Sequence, residues 1–368
     1  MSKLFMKGNE AMAEAAVRAG CRFFAGYPIT PQNEIPEYMS KRLPEVGGVF
    51  VQGESELASI NMVVGAAFGG TRAMTSSSGP GLSLKSEGLS TLAASGFPAV
   101  VINVMRGGPG TGSISGAQMD YLQATKGGGH GGFKVLVFAP STVQEAVDLI
   151  YEAFDKSWEY MHPCLILADG YIGSIMEPVQ LPEMKEVERK EFPVYTTEFF
   201  NNRPNRRVCT TMIVNEAEQE KWNIVQAERY QRIADNEVRV EEYMLDDAEY
   251  VITAYGTSAR VAKTAIKILR EKGIKVGLIR PITVWPFPYD SLRKLDENKV
   301  KSILCLELSI PAQLIEDIKL GTEGRILVRE SGTEPLIRVM VEAGTEDICA
   351  EYVDNVIRVM ESEGLIVE

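Results

Sequence analysis

Short apolar runs alternate with longer amphipathic stretches along most of this chain. The runs CRFFAG, GGVFVQG, PAVVINVM, FKVLVFA and PCLILADG predict buried strands, and ESELASINMVVGAAFGG predicts a helix that opens with two carboxylates and closes at glycines. Strands of continuous Val, Ile and Leu that alternate with helices are typical of a parallel sheet covered on both faces. The pattern therefore predicts an α/β fold.

Changes in this pattern divide the chain into four predicted segments. A first α/β unit spans residues 1–175, and a charge-dense, largely helical connector with a surface helix follows over residues 176–247. A second α/β unit begins at AEYVITAYGTSARVAKTAIKIL and spans residues 248–321. Residues 322–368, called the tail below, predict a short α+β segment of two strands joined by a polar turn and followed by a helix.

Composition narrows the class of partner. The 368 residues are 45% hydrophobic and 24% charged, as in ordinary soluble proteins, and they carry a net charge of −12. This charge argues against nucleic acid or an anionic membrane as the main partner, because both select a basic face. The chain has no run of eighteen apolar residues and no apolar signal-peptide core at its N-terminus, so we expect a cytoplasmic protein.

Cysteine usage points the same way. The five cysteines are scattered, and no two of them form a CxxC pair. We therefore expect no iron–sulfur cluster, no structural zinc and no other metal site held by this chain alone. Free cysteines are typical of a reducing compartment.

Three loops that follow predicted strands are rich in small polar residues: YPITP, TSSSGPG and MRGGPGTGSIS. Functional sites of open parallel sheets form where strands end, and glycine lets backbone N–H groups approach a ligand closely. The loops contain neither a Walker A sequence nor a GxGxxG fingerprint followed by an acid. A structural turn is the commoner role of such a loop, so the loops alone assign no chemistry.

Several side chains near these loops leave alternatives open. Glu54 and Glu56 are either acids that stabilise a helix start or carboxylates at a cleft, able to share a proton with a cofactor nitrogen. Arg106 follows an apolar run and precedes two glycines, which suits either a substrate carboxylate or an ion pair with a nearby acid. His130 in KGGGHGG is either a ligand-facing residue or a flexible exposed one.

Five motifs in a fixed order carry a family resemblance: GYPITPQNEIPEYM, GESELASINMVVGAAFGG, MTSSSGPGLSLKSEG, INVMRGGPGTG and YLQATKGGGHGGF. Together they resemble the α subunit of 2-oxoacid:ferredoxin oxidoreductases over roughly residues 1–320. QATKGGGHG, APSTVQEAVDL and ADG…MEPV resemble the branched-chain, 2-oxoisovalerate (3-methyl-2-oxobutanoate) type. The resemblance implies a pyrimidine-binding domain for thiamine diphosphate over residues 1–175 and a transketolase C-terminal-like domain over residues 248–321.

The resemblance also implies an enzyme assembled from several subunits. A partner β subunit would supply the diphosphate and magnesium site, and γ and ferredoxin-like δ subunits would complete the complex. Iron–sulfur clusters would lie on the partner subunits. The implied reaction is the oxidative decarboxylation of a 2-oxoacid, with coenzyme A as the acyl acceptor and ferredoxin as the electron acceptor.

Roles for residues of this chain follow from the same resemblance. Glu56 would protonate the pyrimidine nitrogen of the cofactor, and a later helix start would exchange its role with that of Glu54. Thr30 and Arg106 would bind the substrate carboxylate. The remaining expected contacts are Tyr27 and Ser115 with the substrate, and Pro28, Ile29, Ser78 and Gly79 with the cofactor.

One loop departs from the 2-oxoglutarate branch of the family. Ser115 stands where relatives of that branch carry a threonine in RGGPSTGLPT, and Gly110 and Ile114 differ as well. The departure weakens the case for a dicarboxylate substrate and favours a branched-chain 2-oxoacid.

The tail resembles a different family. GRILVRESGTEPLIRVM is similar to the C-terminal phosphate-binding loop of phosphoglucosamine mutases, which implies an anion site made of Arg329, Ser331, Gly332, Thr333 and Arg338. The phosphoserine loop and the Asp-x-Asp-x-Asp metal loop of a mutase do not occur in the chain. Three functions thus stay open: an oxidoreductase subunit that needs its partners, a phosphosugar-binding or mutase-related protein, and a non-catalytic assembly subunit.

Overall fold

The secondary structure alternates between strands and helices as the sequence pattern predicts. The computed structural model describes residues 3–186, 210–296, 298–323, 325–330 and 337–342, together with residues 347, 350, 354 and 358. The elements up to residue 179 are β1 (Leu4–Lys7), α1 (Gly8–Arg18), β2 (Phe23–Gly26), α2 (Glu34–Glu45), β3 (Val49–Gln52), α3 (Glu56–Phe68), β4 (Ala73–Ser77), α4 (Pro80–Ser95), β5 (Val100–Gly107), β6 (Ser113–Gly116), α5 (Tyr121–Thr125), β7 (Leu136–Phe138), α6 (Val143–Tyr160), β8 (Cys164–Asp169), α7 (Gly170–Ser174) and β9 (Met176–Val179). The later elements are α8 (Glu216–Asn236), β10 (Val240–Tyr243), β11 (Tyr250–Thr253), α9 (Gly256–Glu271), β12 (Val276–Pro281), β13 (Thr283–Trp285), α10 (Tyr289–Arg293), β14 (Ser302–Cys305), α11 (Ile315–Glu323), β15 (Arg325–Glu330) and β16 (Ile337–Glu342).

A mostly parallel sheet with the strand order β13-β7-β8-β5-β4-β2-β3 forms the centre of the first α/β unit. Its central strands β5 and β8 are apolar and buried along almost their whole length, as expected for a sheet covered on both faces. One core cluster packs α1, α2 and α6 against the sheet, and a second cluster packs α3 and Leu92 of α4. The predicted α/β class is confirmed.

The second sheet has the strand order β10-β12-β11-β14, with β11 parallel to both of its neighbours. Its core contains Ala259 and Ile266 of α9 and Ile252 and Leu278 of the strands. Strand β10 lies within the connector that was predicted to be largely helical, and it pairs antiparallel with β12. Strand β13 instead joins the first sheet as its antiparallel edge strand beside β7.

The surface helix predicted in the connector is α8. Its Trp222 donates a hydrogen bond from Nε1 to the carbonyl of Ala94 at 2.7 Å, and Gln226 donates to the same carbonyl at 3.1 Å. These two bonds hold the mostly exposed helix against the end of α4, and the buried Ile233 packs into the main core cluster.

The two sheets are joined by buried polar contacts inside the first compact unit of the chain. Asp169, at the end of β8, accepts hydrogen bonds from the backbone N–H groups of Tyr171 and Ile172 at 3.1 Å. It also accepts bonds from the N–H and the hydroxyl of Thr257 at 3.0 and 2.7 Å. Asp169 thus caps α7 and ties the first turn of α9 to the first sheet.

A second compact unit consists of residues 289–295 and the chain from residue 315 onward. In it, α10 and α11 pack together, and the Tyr289 hydroxyl donates a hydrogen bond to the carboxylate of Asp317. The tail strands β15 and β16 pair antiparallel, with the backbone of Arg329 opposite that of Arg338. The predicted anion-site residues Ser331, Gly332 and Thr333 lie outside the described residues. None of the helices in the described part is long and apolar enough to cross a membrane.

Replacement of Asp169 by asparagine tests the joint between the sheets. All four partners of the Asp169 carboxylate are donors, so one of them would face the amide NH₂ of asparagine and lose its acceptor. We expect Asp169→Asn to lower the free energy of unfolding by about 1–3 kcal/mol. Thermal and urea unfolding measure this loss. Asp148→Asn, an exposed carboxylate on α6, is the control and should unfold like the parent; equal stability of the two variants would contradict the assigned joint.

Candidate active site

The loops singled out in the sequence meet at the carboxyl ends of β2, β4 and β5, which are neighbours in the first sheet. YPITP follows β2, the TSSSGPG turn links β4 to α4, and the glycine-rich loop links β5 to β6. Carboxyl ends of adjacent parallel strands form the binding edge of an open sheet. The candidate site is therefore built by three loops that start side by side.

Glu56 is the first residue of α3. The Ser55 hydroxyl caps this helix by accepting a hydrogen bond from the N–H of Ala58 at 3.2 Å. Glu56 keeps only 7% of its surface exposed, whereas Glu54 precedes the cap and is exposed. No described residue forms a hydrogen bond or an ion pair with the Glu56 carboxylate. Of the two acids, the structure thus places Glu56 in the site.

Two glycines in the turn after β4 leave no room for a side chain. Gly79 has a φ of +48°, and a Cβ at this position would lie 3.1 Å from Nε of Arg106. A Cβ on Gly81 would lie 2.3 Å from Oγ of Ser77 and 2.6 Å from Oε1 of Glu56. The turn therefore contacts the carboxylate at one end and the guanidinium at the other.

Arg106, near the end of β5, is 6% exposed. It donates hydrogen bonds to the carbonyl oxygens of Thr30 and Thr111 at 2.9 and 2.8 Å, and its Nε–H has no partner in the described structure. A buried guanidinium that is hydrogen-bonded only to carbonyls has unused donors, and a carboxylate ligand would complete such an arrangement.

The YPITP loop is held by residues outside its motif. Asn9 of α1 donates from Nδ2 to the carbonyl of Pro31 at 2.8 Å. Gln32 accepts a hydrogen bond from the Ser76 hydroxyl at 2.5 Å, which ties the loop to β4. The Thr30 hydroxyl accepts a long bond of 3.5 Å from the Asn33 amide, so most of its hydrogen-bonding capacity is free.

The other predicted contacts lie around this centre with different exposure. Ser78 is buried and its hydroxyl has no partner in the described structure. Tyr27 and Pro28 are exposed and Ile29 is half-buried, all on the loop that carries Thr30. Ser115 is exposed on β6, one residue before Gly116, which pairs with Arg106 across the ladder. His130 is exposed, and its carbonyl accepts a hydrogen bond from the Ser90 hydroxyl at 2.7 Å.

Two charged residues of the site, one half-buried and one buried, were missed in the sequence. Asp120 accepts a hydrogen bond from the Asn103 amide at 2.9 Å. Burial raises its pKa, while Asn103, the charge of Arg106 and the N–H of Gly79 act in the opposite direction. Lys85 of α4 is completely buried. Asp120 lies one residue before the quoted motif YLQATKGGGHGGF, and Lys85 lies within MTSSSGPGLSLKSEG among serines, so neither carried a signal of burial.

Comparison with known families accounts for almost the whole chain. Residues 14–245 match the thiamine diphosphate-binding domain family of pyruvate flavodoxin/ferredoxin oxidoreductases. Residues 248–353 match core domain II of pyruvate:ferredoxin oxidoreductases. The second match extends over most of the tail, and the comparisons give the mutase resemblance of the tail no support.

Individual relatives agree with this result. The ketoisovalerate oxidoreductase subunit VorB of Methanothermobacter thermautotrophicus is 46% identical over 323 residues, which cover 88% of this chain and 90% of the relative. The 2-oxoglutarate synthase subunit KorA of Methanocaldococcus jannaschii is 38% identical over 317 residues, which cover 80% of this chain and 86% of the relative.

Solved structures show the same fold. A 2-oxoglutarate:ferredoxin oxidoreductase from Magnetococcus marinus superposes with a TM-score of 0.76 at 27% identity, covering 88% of this chain and 61% of its own. A split-gene transketolase superposes with a TM-score of 0.52 at 13% identity, which shows a shared fold alone. From the two domain matches and the relatives at 46% and 38% identity, the chain belongs to the 2-oxoacid:ferredoxin oxidoreductase family, among its α subunits.

Proposed function

We propose that this chain is the α subunit of a thiamine diphosphate-dependent enzyme that oxidises branched-chain 2-oxoacids such as 2-oxoisovalerate. One observation carries the proposal. The buried carboxylate of Glu56, to which no described residue bonds, and the buried guanidinium of Arg106, whose Nε–H has no partner among the described residues, lie against the same glycine turn. In the reaction, a 2-oxoacid, coenzyme A and two oxidised ferredoxins give acyl-coenzyme A, carbon dioxide, two reduced ferredoxins and a proton.

The residues at the turn fit the pyrimidine part of thiamine diphosphate. The hydroxyls of Ser77 and Ser78 are buried without a partner in the described structure, and the Glu56 carboxylate is likewise unpaired. An aminopyrimidine ring carries both donors and acceptors for such groups. Glu56, Ser78 and Gly79 would hold its polar edge, and Pro28 and Ile29 would contact its face. When bound, this cofactor supplies the electron sink for decarboxylation.

Glu56 would hold the proton that is shared with a nitrogen of the pyrimidine ring. Its position at the start of α3 and its burial strengthen this hydrogen bond, because the local dielectric is low and water is excluded. Arg106 and Thr30 orient the substrate: the guanidinium and the threonine hydroxyl donate to the carboxylate of the 2-oxoacid. Tyr27 and Ser115 border the same opening from the β2 loop and from β6.

A branched-chain substrate is favoured over a dicarboxylate by two observations. The relative named for ketoisovalerate is 46% identical, against 38% for the relative named for 2-oxoglutarate. In addition, β6 presents the exposed apolar side chain of Ile114 beside Ser115 at the mouth of the site. An aliphatic substrate side chain would gain apolar contact with Ile114, whereas a carboxylate-bearing one would not.

Partner subunits belong to the proposal. The relatives and the family are described as subunits of larger oxidoreductases. We assign the diphosphate and magnesium site to a β subunit, and the iron–sulfur clusters to partner subunits that include a ferredoxin-like δ chain beside γ. Coenzyme A and ferredoxin are the cosubstrates. The two domain matches adjoin near residue 247, which supports a domain boundary at residue 248.

Glu56→Gln tests the proposed proton exchange. In the complex reconstituted with its partner subunits, we expect the rate of 2-oxoisovalerate-dependent viologen reduction to fall about 100-fold or more, since glutamine cannot exchange the proton. Assembly, measured by gel filtration, should be unchanged. Glu54→Gln is the matched control, because this exposed acid lies two residues earlier. A full rate in Glu56→Gln together with a loss in Glu54→Gln would reverse the assignment.

Arg106→Gln tests substrate orientation. The expected result is a fall in kcat/KM for 2-oxoisovalerate of about 100-fold, expressed mainly as a higher KM, because the substrate carboxylate loses a buried charge partner. Steady-state kinetics measure the two constants separately. Arg293→Gln on α10, where the side chain is 60% exposed, should leave both constants unchanged. An unchanged KM in Arg106→Gln would leave the guanidinium with a structural role only.

Gly81→Ala tests the turn itself. The added methyl group displaces the Glu56 carboxylate or the Ser77 hydroxyl, so we expect the affinity for thiamine diphosphate to fall about tenfold or more. Calorimetric titration of the complex measures this change. Gly65→Ala on α3 is the control, because its Cβ would contact nothing within 4 Å and alanine favours the helix. Equal affinities in the two variants would show that the turn does not contact the cofactor.

A further inference from the structure

Lys85 is a buried charged group that the proposed mechanism leaves without a role. Its side chain is 0% exposed, and its ammonium group donates a hydrogen bond to Oγ1 of Thr75 at 2.7 Å. Thr75 in turn donates to the carbonyl of Ala25 at 2.7 Å. A buried ammonium has three donors to satisfy and is strongly disfavoured unless a charge compensates it. The packing of Lys85 therefore calls for a functional explanation.

The position of Lys85 on α4 directs it toward α3. Gly81 lies one turn earlier, and a Cβ added there would lie 2.6 Å from Oε1 of Glu56. Gly88 lies one turn later, and a Cβ added there would lie 2.5 Å from Cγ1 of Ile60. Residues spaced three or four apart share one face of a helix. Lys85 thus lies between the two points at which α4 touches α3, on the side of the Glu56 carboxylate.

Among the elements packed around Lys85, Glu56 is the charged residue that affects the pKa of Lys85. Burial lowers the pKa of Lys85 to about 7, and the negative charge of Glu56 acts in the opposite direction. The neighbouring strand β4 contributes the neutral hydroxyl of Thr75, and β2 contributes a carbonyl through it. On α4 itself, Glu87 is exposed and accepts a bond from Thr91.

We propose that Lys85 is a positioning residue that controls the protonation of Glu56, and this inference rests on the proposed function. A charged Lys85 favours the carboxylate form of Glu56, and a neutral Lys85 favours the protonated form, which would supply the proton to the pyrimidine nitrogen. Lys85 does not touch the cofactor in this proposal. Lys85, on α4, acts through Glu56 on α3. It sets the pH at which the Glu56 carboxylate exchanges its proton.

Thiamine diphosphate titrations on a set of variants test this role. The set comprises the parent complex, Lys85→Met, Glu56→Gln and the double variant, each titrated with thiamine diphosphate and Mg²⁺ from about pH 6 to about pH 9. Removing a nearby cation makes a carboxyl group hold its proton to higher pH. We therefore expect the pH dependence of affinity to move upward by about one pH unit in Lys85→Met. The same replacement should have no effect in the Glu56→Gln background.

Two further variants separate the outcomes. Lys41→Met, an exposed lysine on α2, removes the same net charge and should leave the profile unchanged. An equal effect of Lys85→Met in both Glu56 backgrounds would show that Lys85 acts by packing and would overturn the inference. An unmoved profile in Lys85→Met would do the same. If the parent complex binds no thiamine diphosphate, the proposed function itself fails.

Unfolding experiments test the Lys85–Glu56 coupling without any cofactor. The folded pKa of Lys85 is about 7 and the ordinary value is 10.5, so between these pH values the unfolded chain binds more protons. Thermal stability should therefore rise with pH over this window in the parent, and this rise should be missing in Lys85→Met. In Glu56→Gln the rise should begin at lower pH, because the charge that raises the pKa of Lys85 is gone. Identical onsets in the parent and in Glu56→Gln would overturn the coupling.

Discussion

The burial of unpaired charge at one edge of the first sheet is the constraint on which this site depends. Arg106 is bonded to two backbone carbonyls, and no described residue bonds to the carboxylate of Glu56. Charges in a medium of low polarity are disfavoured until an opposite charge or a strong hydrogen-bonding partner reaches them. This burial is unfavourable for folding, and under the proposed function a ligand that brings a carboxylate and a ring nitrogen would offset it.

The fold class and the loop positions could be predicted because they depend on local patterns. Continuous apolar runs indicate strands that are buried on both faces, and the site of an open parallel sheet must lie at the ends of such strands. The choice between Glu54 and Glu56 depended on the residue at which α3 begins. The hydroxyl of Ser55 caps α3, which leaves Glu54 exposed and Glu56 buried and so favours Glu56.

Long-range pairing could not be predicted from these patterns. Strand β10 lies in a segment whose charge density indicates helix, and β13 returns to the first sheet after the second sheet has begun. Both are short edge strands whose partner is set by tertiary contacts rather than by local preference. Lys85 escaped notice for a related reason: it stands among serines on α4, and its burial follows from the packing of α4 on α3 at Gly81 and Gly88.

The same glycine turn fixes the distance between Glu56, the proposed cofactor contact, and Arg106, the proposed substrate contact. Gly81 touches Glu56, Gly79 touches Arg106, and Asp120 bonds to both the N–H of Gly79 and the amide of Asn103 on β5. In the proposed function, one short, anchored piece of backbone would thus hold both cofactor and substrate in place of two independent loops. A reaction that needs a keto carbon held close to a cofactor atom benefits from this arrangement, because any motion of the turn moves both groups together and preserves their separation.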